Sequence, residues 1–247
     1  MVDMAHIAGL VAAGAVAITA LAGRGIRIGT HIKRCACISD REFQNIDRDI
    51  EKLANLPFAV LDESRAESMK EAIASAKQDG DSVGGILETA VTGLPAGVGE
   101  PWFDTLEGVL SHALFSIPAV KGVEFGDGFS LAELHGSEAN DSFRSENGVI
   151  KTETNRCGGI LGGISDGMPL LFRLAIKPTP SIYKTQNTVD FIKKENTELL
   201  IHGRHDPAVI HRARVVVDSV TALVLCDLLA LRFGTDYLRA DDKGADI

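Results

Sequence analysis

The sequence predicts an α+β fold, and three observations lead to it. Segments of helical period alternate with segments of strand period, the strand segments carry polar residues on one side, and no internal repeat or low-complexity linker interrupts them. A doubly wound parallel sheet would instead show strands that are apolar on both sides. At 247 residues, 45% of them apolar, the chain can bury a sizeable core as one large domain or two small ones.

Residues 7–23 are almost wholly apolar and rich in Ala and Gly. That length is at the bottom of the roughly 17–25 residues a membrane span needs, and Asp3 stands where a signal peptide carries Lys or Arg, so a buried helix over about residues 5–22 is expected. Ile26, Ile28, Ile32 and Ile38 suggest a strand over residues 26–38. Cys35 and Cys37 share one face of it near His31, yet no second ligand pair follows at zinc spacing, so no metal site is expected. Ser39 with Glu42 has capping-box form, and Phe43, Ile46, Ile50 and Leu53 recur at helical steps, which places a helix from Ser39 to just before Pro57. Ser64 with Glu67 repeats the signal; Met69, Ile73 and Ala76 form the stripe and Gly80 the stop.

Residues 82–101 read as strand, turn and loop, broken by Gly84, Gly85, Gly93, Gly97 and Gly99. A helix over residues 104–114, a strand over 120–125 and a long polar loop over 134–156 follow. Residues 169–177 alternate cleanly, with Leu170, Phe172, Leu174 and Ile176 on one face and Arg173 and Lys177 on the other, as a half-buried strand does. A last helix runs from about Pro207 to Phe233, stopped by Gly234, and residues 239–247 form a polar tail.

Lys and Arg total 25 against 34 Asp and Glu, a net charge of −9. This balance argues against a surface built for nucleic-acid phosphates or anionic lipid, so an anionic ligand must be met by a few placed cations. The four cysteines, Cys35, Cys37, Cys157 and Cys226, form no CxxC pair and read as reduced thiols of a cytosolic protein.

Three Gly- and Pro-punctuated clusters concentrate unusual backbone and convergent polar groups: Thr154-Asn155-Arg156-Cys157-Gly158-Gly159-Ile160-Leu161-Gly162-Gly163, Lys177-Pro178-Thr179-Pro180-Ser181-Ile182 and Gly203-Arg204-His205-Asp206-Pro207. Paired glycines let backbone approach a ring or phosphate, although the first cluster also reads as a plain Gly-rich turn. The second offers a cation and two hydroxyls on rigid backbone, a set suited to a phosphate monoester, or else a strand exit. In the third, Asp206 before Pro207 reads as a helix N-cap followed by a first-turn proline, beside an anion-attracting helix end.

In order and spacing these clusters resemble chorismate synthase. The likeness extends through Asp81-Ser82-Val83-Gly84-Gly85, Gly97-Val98-Gly99-Glu100-Pro101, Ile117-Pro118-Ala119-Val120-Lys121-Gly122-Val123-Glu124 and Gly126-Asp127-Gly128-Phe129, over roughly residues 10–235. The resemblance implies a β-α-β sandwich with helices between two antiparallel sheets, residues 1–247 forming one domain. It implies the 1,4-elimination of phosphate from 5-enolpyruvylshikimate 3-phosphate to give chorismate, in aromatic amino acid biosynthesis, with reduced FMN required. It further implies a cytoplasmic homotetramer, an association with NADP, and no nucleic-acid or membrane partner. Carried over residue by residue, flavin contacts fall on Pro118, Ala119, Gly162, Lys177, Pro178, Thr179, Pro180, Ser181 and Arg204, and Asp206 matches the family's proton-handling aspartate. Asp218 stands where the family usually carries glutamate. The family's opening GESHG-type motif, a second histidine region and an arginine-rich RSSAR-type stretch do not occur in these residues. A chain incomplete at its N-terminus and inactive alone is therefore expected. A second reading is a flavin-binding, oligomerising module without turnover.

Overall fold

The structure, a computed structural model, describes residues 4–203 and 205–239. In chain order the elements are α1 (Met4–Gly23), β1 (Arg27–Cys35), β2 (Ile38–Ser39), α2 (Ile46–Ala54), α3 (Glu63–Gln78), β3 (Gly85–Thr92), α4 (Leu106–Phe115) and β4 (Val120–Phe125). There follow α5 (Gly136–Ala139), β5 (Phe143–Glu146), β6 (Val149–Thr152), β7 (Ile160–Leu161), β8 (Ile164–Ser165), β9 (Leu170–Ile176), β10 (Gln186–Asp190), β11 (Glu195–Leu199) and α6 (Ile210–Phe233). The main sheet has five strands in the order β2-β1-β3-β9-β4, every neighbour antiparallel. The other strands pair as three two-stranded ribbons, β5-β6, β7-β8 and β10-β11.

The alternation seen in the sequence sorts the sheet's faces. Leu170, Phe172, Leu174 and Ile176 of β9 are buried, while Ala175 is exposed and Arg173 half-buried. The apolar side meets α6, which buries Ile210, Ala213, Val216, Val217, Val220, Leu225 and Leu229 and packs on β1 and β3, with α1 and α4 beside it. On the opposite face a row of charges crosses four strands in register, His31 against Glu88, Glu88 against Arg173 and Arg173 against Glu124.

Helix α1 buries one face rather than all of its surface. Ala17 and Leu21 are buried against α6, whereas Val16 is 71% exposed. Gly14 sets the closeness of this crossing, since a Cβ there would lie 2.2 Å from the Ser219 Cβ. No helix among the described residues is long and apolar enough to cross a membrane.

Two helix starts differ from expectation for the same reason, a better competing cap. Ser39 is taken into β2 opposite Arg34, and α2 begins after Asn45, whose side chain accepts from the Arg48 amide at 3.2 Å. Helix α3 is capped by Asp62, which accepts from the Ser64 amide at 3.0 Å. The loop expected over 134–156 contains the single-turn α5 and the β5-β6 hairpin, whose Asn147-Gly148 turn has φ of +52° and +80°.

Candidate functional site

Strands β4 and β9 finish the sheet together, Val120 opposite Ile176, and one step further the Lys177 amide donates to the Ala119 carbonyl at 2.9 Å. This contact joins Pro118 and Ala119 to the segment from Lys177 to Ser181. Ala119 has φ +74°, a left-handed conformation that costs a non-glycine residue on the order of 1 kcal/mol or more and that gathers at functional sites.

From the other side, β3 brings in the residues just before it. The Ser82 hydroxyl donates to the Thr179 carbonyl at 2.6 Å. A Cβ on Gly84 would stand 2.4 Å from the Ile176 carbonyl oxygen and 2.9 Å from Pro178 Cδ, so only glycine lets the proline segment lie this close. The Val83 amide donates to the Pro207 carbonyl at 2.8 Å. Four stretches singled out in the sequence, around residues 82–84, 118–119, 177–181 and 205–207, thus meet at one end of the sheet.

The polar groups at this end are unevenly committed. Lys184 is held by Asp81 at 2.7 Å and Asp79 at 3.3 Å, and these bonds raise its pKa. Arg212 is paired with Asp206. Lys177 is exposed, and neither its ammonium nor the hydroxyls of half-buried Thr179 and Ser181 have a partner among the described residues. A free cation with two free hydroxyls on proline-stiffened backbone fits a phosphate group. Arg204, expected to reach the same ligand, lies outside the described residues.

Asp206 is not the cap of the last helix. Helix α6 starts at Ile210 after Val209, with no side-chain cap, and Asp206 Oδ1 instead accepts from the Ala208 amide at a long 3.3 Å. The cause is tertiary: the Pro207 carbonyl is engaged by Val83 and the carboxylate by Arg212.

Gly162 sits elsewhere. It turns the β7-β8 ribbon with φ +61° and open space where a Cβ would point, next to Gly163, whose carbonyl accepts from the Leu106 amide at 2.8 Å. Ser165 of the same ribbon bonds Val98, beyond the Thr92 end of β3, whereas Lys177 follows the opposite end of β9. The seven residues of β9, at roughly 3.4 Å each, put about 20 Å between them. Within one chain Gly162 does not join the Lys177 cluster. Gly158 and Gly159 are used by the protein itself: a Cβ on Gly158 would lie 2.4 Å from the Gly126 amide and one on Gly159 2.6 Å from the Pro169 carbonyl. Asp141, unremarked in the sequence, pins this cluster by accepting from the Thr154 hydroxyl at 2.5 Å and the Arg156 and Cys157 amides at 2.9 and 2.8 Å.

Two buried titratable groups named in the sequence have partners that it did not show. His31, fully buried, places Nδ1 2.8 Å from Asp40 and Nε2 2.9 Å from Glu88. Burial alone would lower its pKa, but hydrogen bonds to the two carboxylates prevail and raise it. Asp218 on α6 accepts from the Thr30 hydroxyl at 2.6 Å, with the Arg214 Nε at 3.6 Å, and burial pushes its pKa up to about 6. A side chain spaced into the middle of an otherwise apolar helix was the signal available for Asp218. Among the described residues no group of three or more His, Cys, Asp or Glu could hold a metal ion.

Fold and site together define an antiparallel α+β protein in which a cation and two hydroxyls without partners among the described residues stand where one strand leaves the sheet. The chain belongs to the chorismate synthase family, whose model matches residues 6–230. It is 49% identical over 221 residues to the chorismate synthase of Methanosarcina acetivorans, covering 89% of this chain and 60% of that one. It is 56% identical over 162 residues to the chorismate synthase of Dehalococcoides mccartyi, covering 66% and 44% of the two chains. A solved structure described as a crystal structure of chorismate synthase superposes with TM-score 0.77 at 29% identity, covering 94% of this chain and 65% of that one. The chain therefore spans about 60% of the length of curated relatives such as the Methanosarcina enzyme.

Proposed function

We propose that this chain supplies the flavin-holding part of a chorismate synthase site, acting in the elimination of phosphate from 5-enolpyruvylshikimate 3-phosphate to give chorismate. The observation that carries this reading is the meeting of Pro118 and Ala119 with the free cation and hydroxyls of Lys177, Thr179 and Ser181 at one end of the sheet. Lys177 Nζ neutralises the FMN phosphate, and the two hydroxyls donate to its oxygens, while Pro178 and Pro180 keep the segment extended. When bound, reduced FMN supplies the electron density that assists loss of phosphate from the substrate. Asp206 handles the accompanying proton at Oδ1, since Oδ2 is engaged by Arg212 and Oδ1 makes one long bond. Gly162, about a strand's length away, belongs to the same reading through a flavin held by a second copy of the chain, in keeping with a homotetramer. The reading extends to a cytoplasmic lyase of aromatic amino acid biosynthesis, to an association with NADP, and to residues 1–247 as one domain.

Within these residues Lys184 and Arg212 are already paired at this end of the sheet, which leaves few cations for the phosphate and carboxylates of the substrate. Losing one positioned donor typically costs on the order of a hundredfold in rate, so the 247-residue chain with reduced FMN and substrate under anaerobic conditions should form little chorismate. Supplying the remaining part of a full-length relative as a second chain should restore it. No chorismate in either mixture would argue against the assignment. Near-normal turnover by the chain alone would shift the missing roles to His205, His211, Arg212 or Arg214.

A further inference from the structure

Tyr183, two residues beyond the 177–181 segment, joins Gly80 to Gly203 and His205 before α6. Its amide donates to the Gly80 carbonyl at 2.9 Å, and Gly80, with φ +66°, leaves just enough room, since a Cβ there would be 3.1 Å from the Tyr183 Cβ. The next residue, Lys184, is anchored by Asp81 and Asp79, which fixes the backbone from which the ring projects. At its far end the Tyr183 hydroxyl donates to the Gly203 carbonyl, and its ring meets that of His205 edge to face, centroids 4.1 Å apart at 88°.

Beyond Tyr183, the described residues of the loop that receives these contacts are held at its C-terminal side, by the Asp206–Arg212 pair and the Val83 amide. Gly203 has φ +147° and nothing within 4 Å of a Cβ position, and the Pro207 carbonyl is tied to Val83 only at the loop's end. His205 Nε2 lies 3.1 Å from the Ile201 carbonyl and donates to it. A tyrosine more than half exposed would ordinarily leave its hydroxyl to water; here it is spent on a loop carbonyl.

We infer that Tyr183 is a positioning residue: it ties Gly203 and His205 to Gly80, so that His205, and Asp206 next to it, stand at a fixed place beside the anion that Lys177 receives. This rests on the flavin reading above. The ring contact fixes the imidazole plane, and the hydroxyl contact fixes the backbone at Gly203. Losing either loosens the loop without removing any group that touches the ligand.

The test compares the unmodified chain with Tyr183→Phe, Tyr183→Ala and Lys177→Ala in FMN titrations, with the His205 ring-proton shift followed by NMR and the thermal midpoint recorded for each. Tyr183→Phe should keep the upfield ring-current shift of His205 and weaken FMN about fivefold, the worth of one neutral hydrogen bond. Tyr183→Ala should abolish the shift and weaken FMN further, at a thermal midpoint close to that of the unmodified chain. If Tyr183→Ala changes neither the His205 shift nor the affinity while Lys177→Ala weakens FMN, the clamp is wrong and the flavin reading stands. If Lys177→Ala also binds FMN as before, both fail. A fall in thermal midpoint with unchanged shift and affinity would make Tyr183 merely structural and overturn the proposal.

Discussion

Lys177 is central to the proposed site because neither its ammonium nor the Thr179 and Ser181 hydroxyls have a partner among the described residues. Replacing it by alanine should weaken FMN binding by about 1.5–3 kcal/mol, the usual worth of a hydrogen bond to a charged group, with no matching loss of stability. Asp218 gives an independent residue-scale test. Its folded pKa of about 6 lies above the ordinary 3.8, so the folded chain holds the proton more tightly than the unfolded one, and stability falls as pH rises from about 4 to 6. Asp218→Asn should remove that fall, which two pKa units put at about 3 kcal/mol. Denaturant unfolding of both proteins at pH 4 and 7 measures the difference. At this scale residue type and proline spacing singled out Lys177, Thr179 and Ser181, whose polar groups have no partner among the described residues. Asp206 was misread as a cap because its carboxylate is taken by the Arg212 guanidinium of a later turn, while the Val83 amide, from elsewhere in the chain, holds the Pro207 carbonyl.

Elements are held by two contacts that can be broken separately. Where α1 crosses α6, Gly14 lies against Ser219, and Gly14→Leu should force the helices apart and cost at least about 1–3 kcal/mol, read as a lowered thermal midpoint. The His31 clamp joins β1 to Asp40, which also accepts from the Leu61 and Asp62 amides and so fastens the segment around α2 to the sheet. Its sign with pH follows from the directions of the shifts. His31 is raised above 6.5, so its contribution is complete below that value and is lost as pH rises through the folded pKa. For Asp40 and Glu88 burial favours the neutral acid, but their hydrogen bonds, chiefly to His31, prevail and lower both. Their contribution is therefore complete above the ordinary 3.8 and 4.5 and is lost as pH falls through the lowered values. In His31→Asn the loss of stability on the alkaline side should disappear; an unchanged profile between about pH 6 and 9 would show that His31 does not titrate there.

Element legibility followed burial. β9 was read correctly because one face is core and the other is not, and β4 because a glycine turn ends it. β10 and β11 were not read at all: their residues are mostly polar and mostly exposed, and what defines them is the ladder between them, which leaves no apolar period in the sequence. The β5-β6 hairpin had a usable signal in Asn147-Gly148, masked by strands whose outward residues are exposed on both faces.

For the whole molecule, a net charge of −9 leaves anion binding to placed cations, and Lys177 is one that has no partner among the described residues. The chain belongs to the chorismate synthase family and spans about 60% of a relative's length, and the proposed role of the sheet end carrying Lys177 in holding FMN rests on that membership. The most direct measurement is a fluorescence titration of this chain with FMN and with riboflavin, which differ by the phosphate alone. FMN should bind tighter by about tenfold or more, the equivalent of one charged hydrogen bond, and Lys177→Ala should bring the two affinities together. Equal affinities for FMN and riboflavin in the unmodified chain would contradict a phosphate site at residues 177–181.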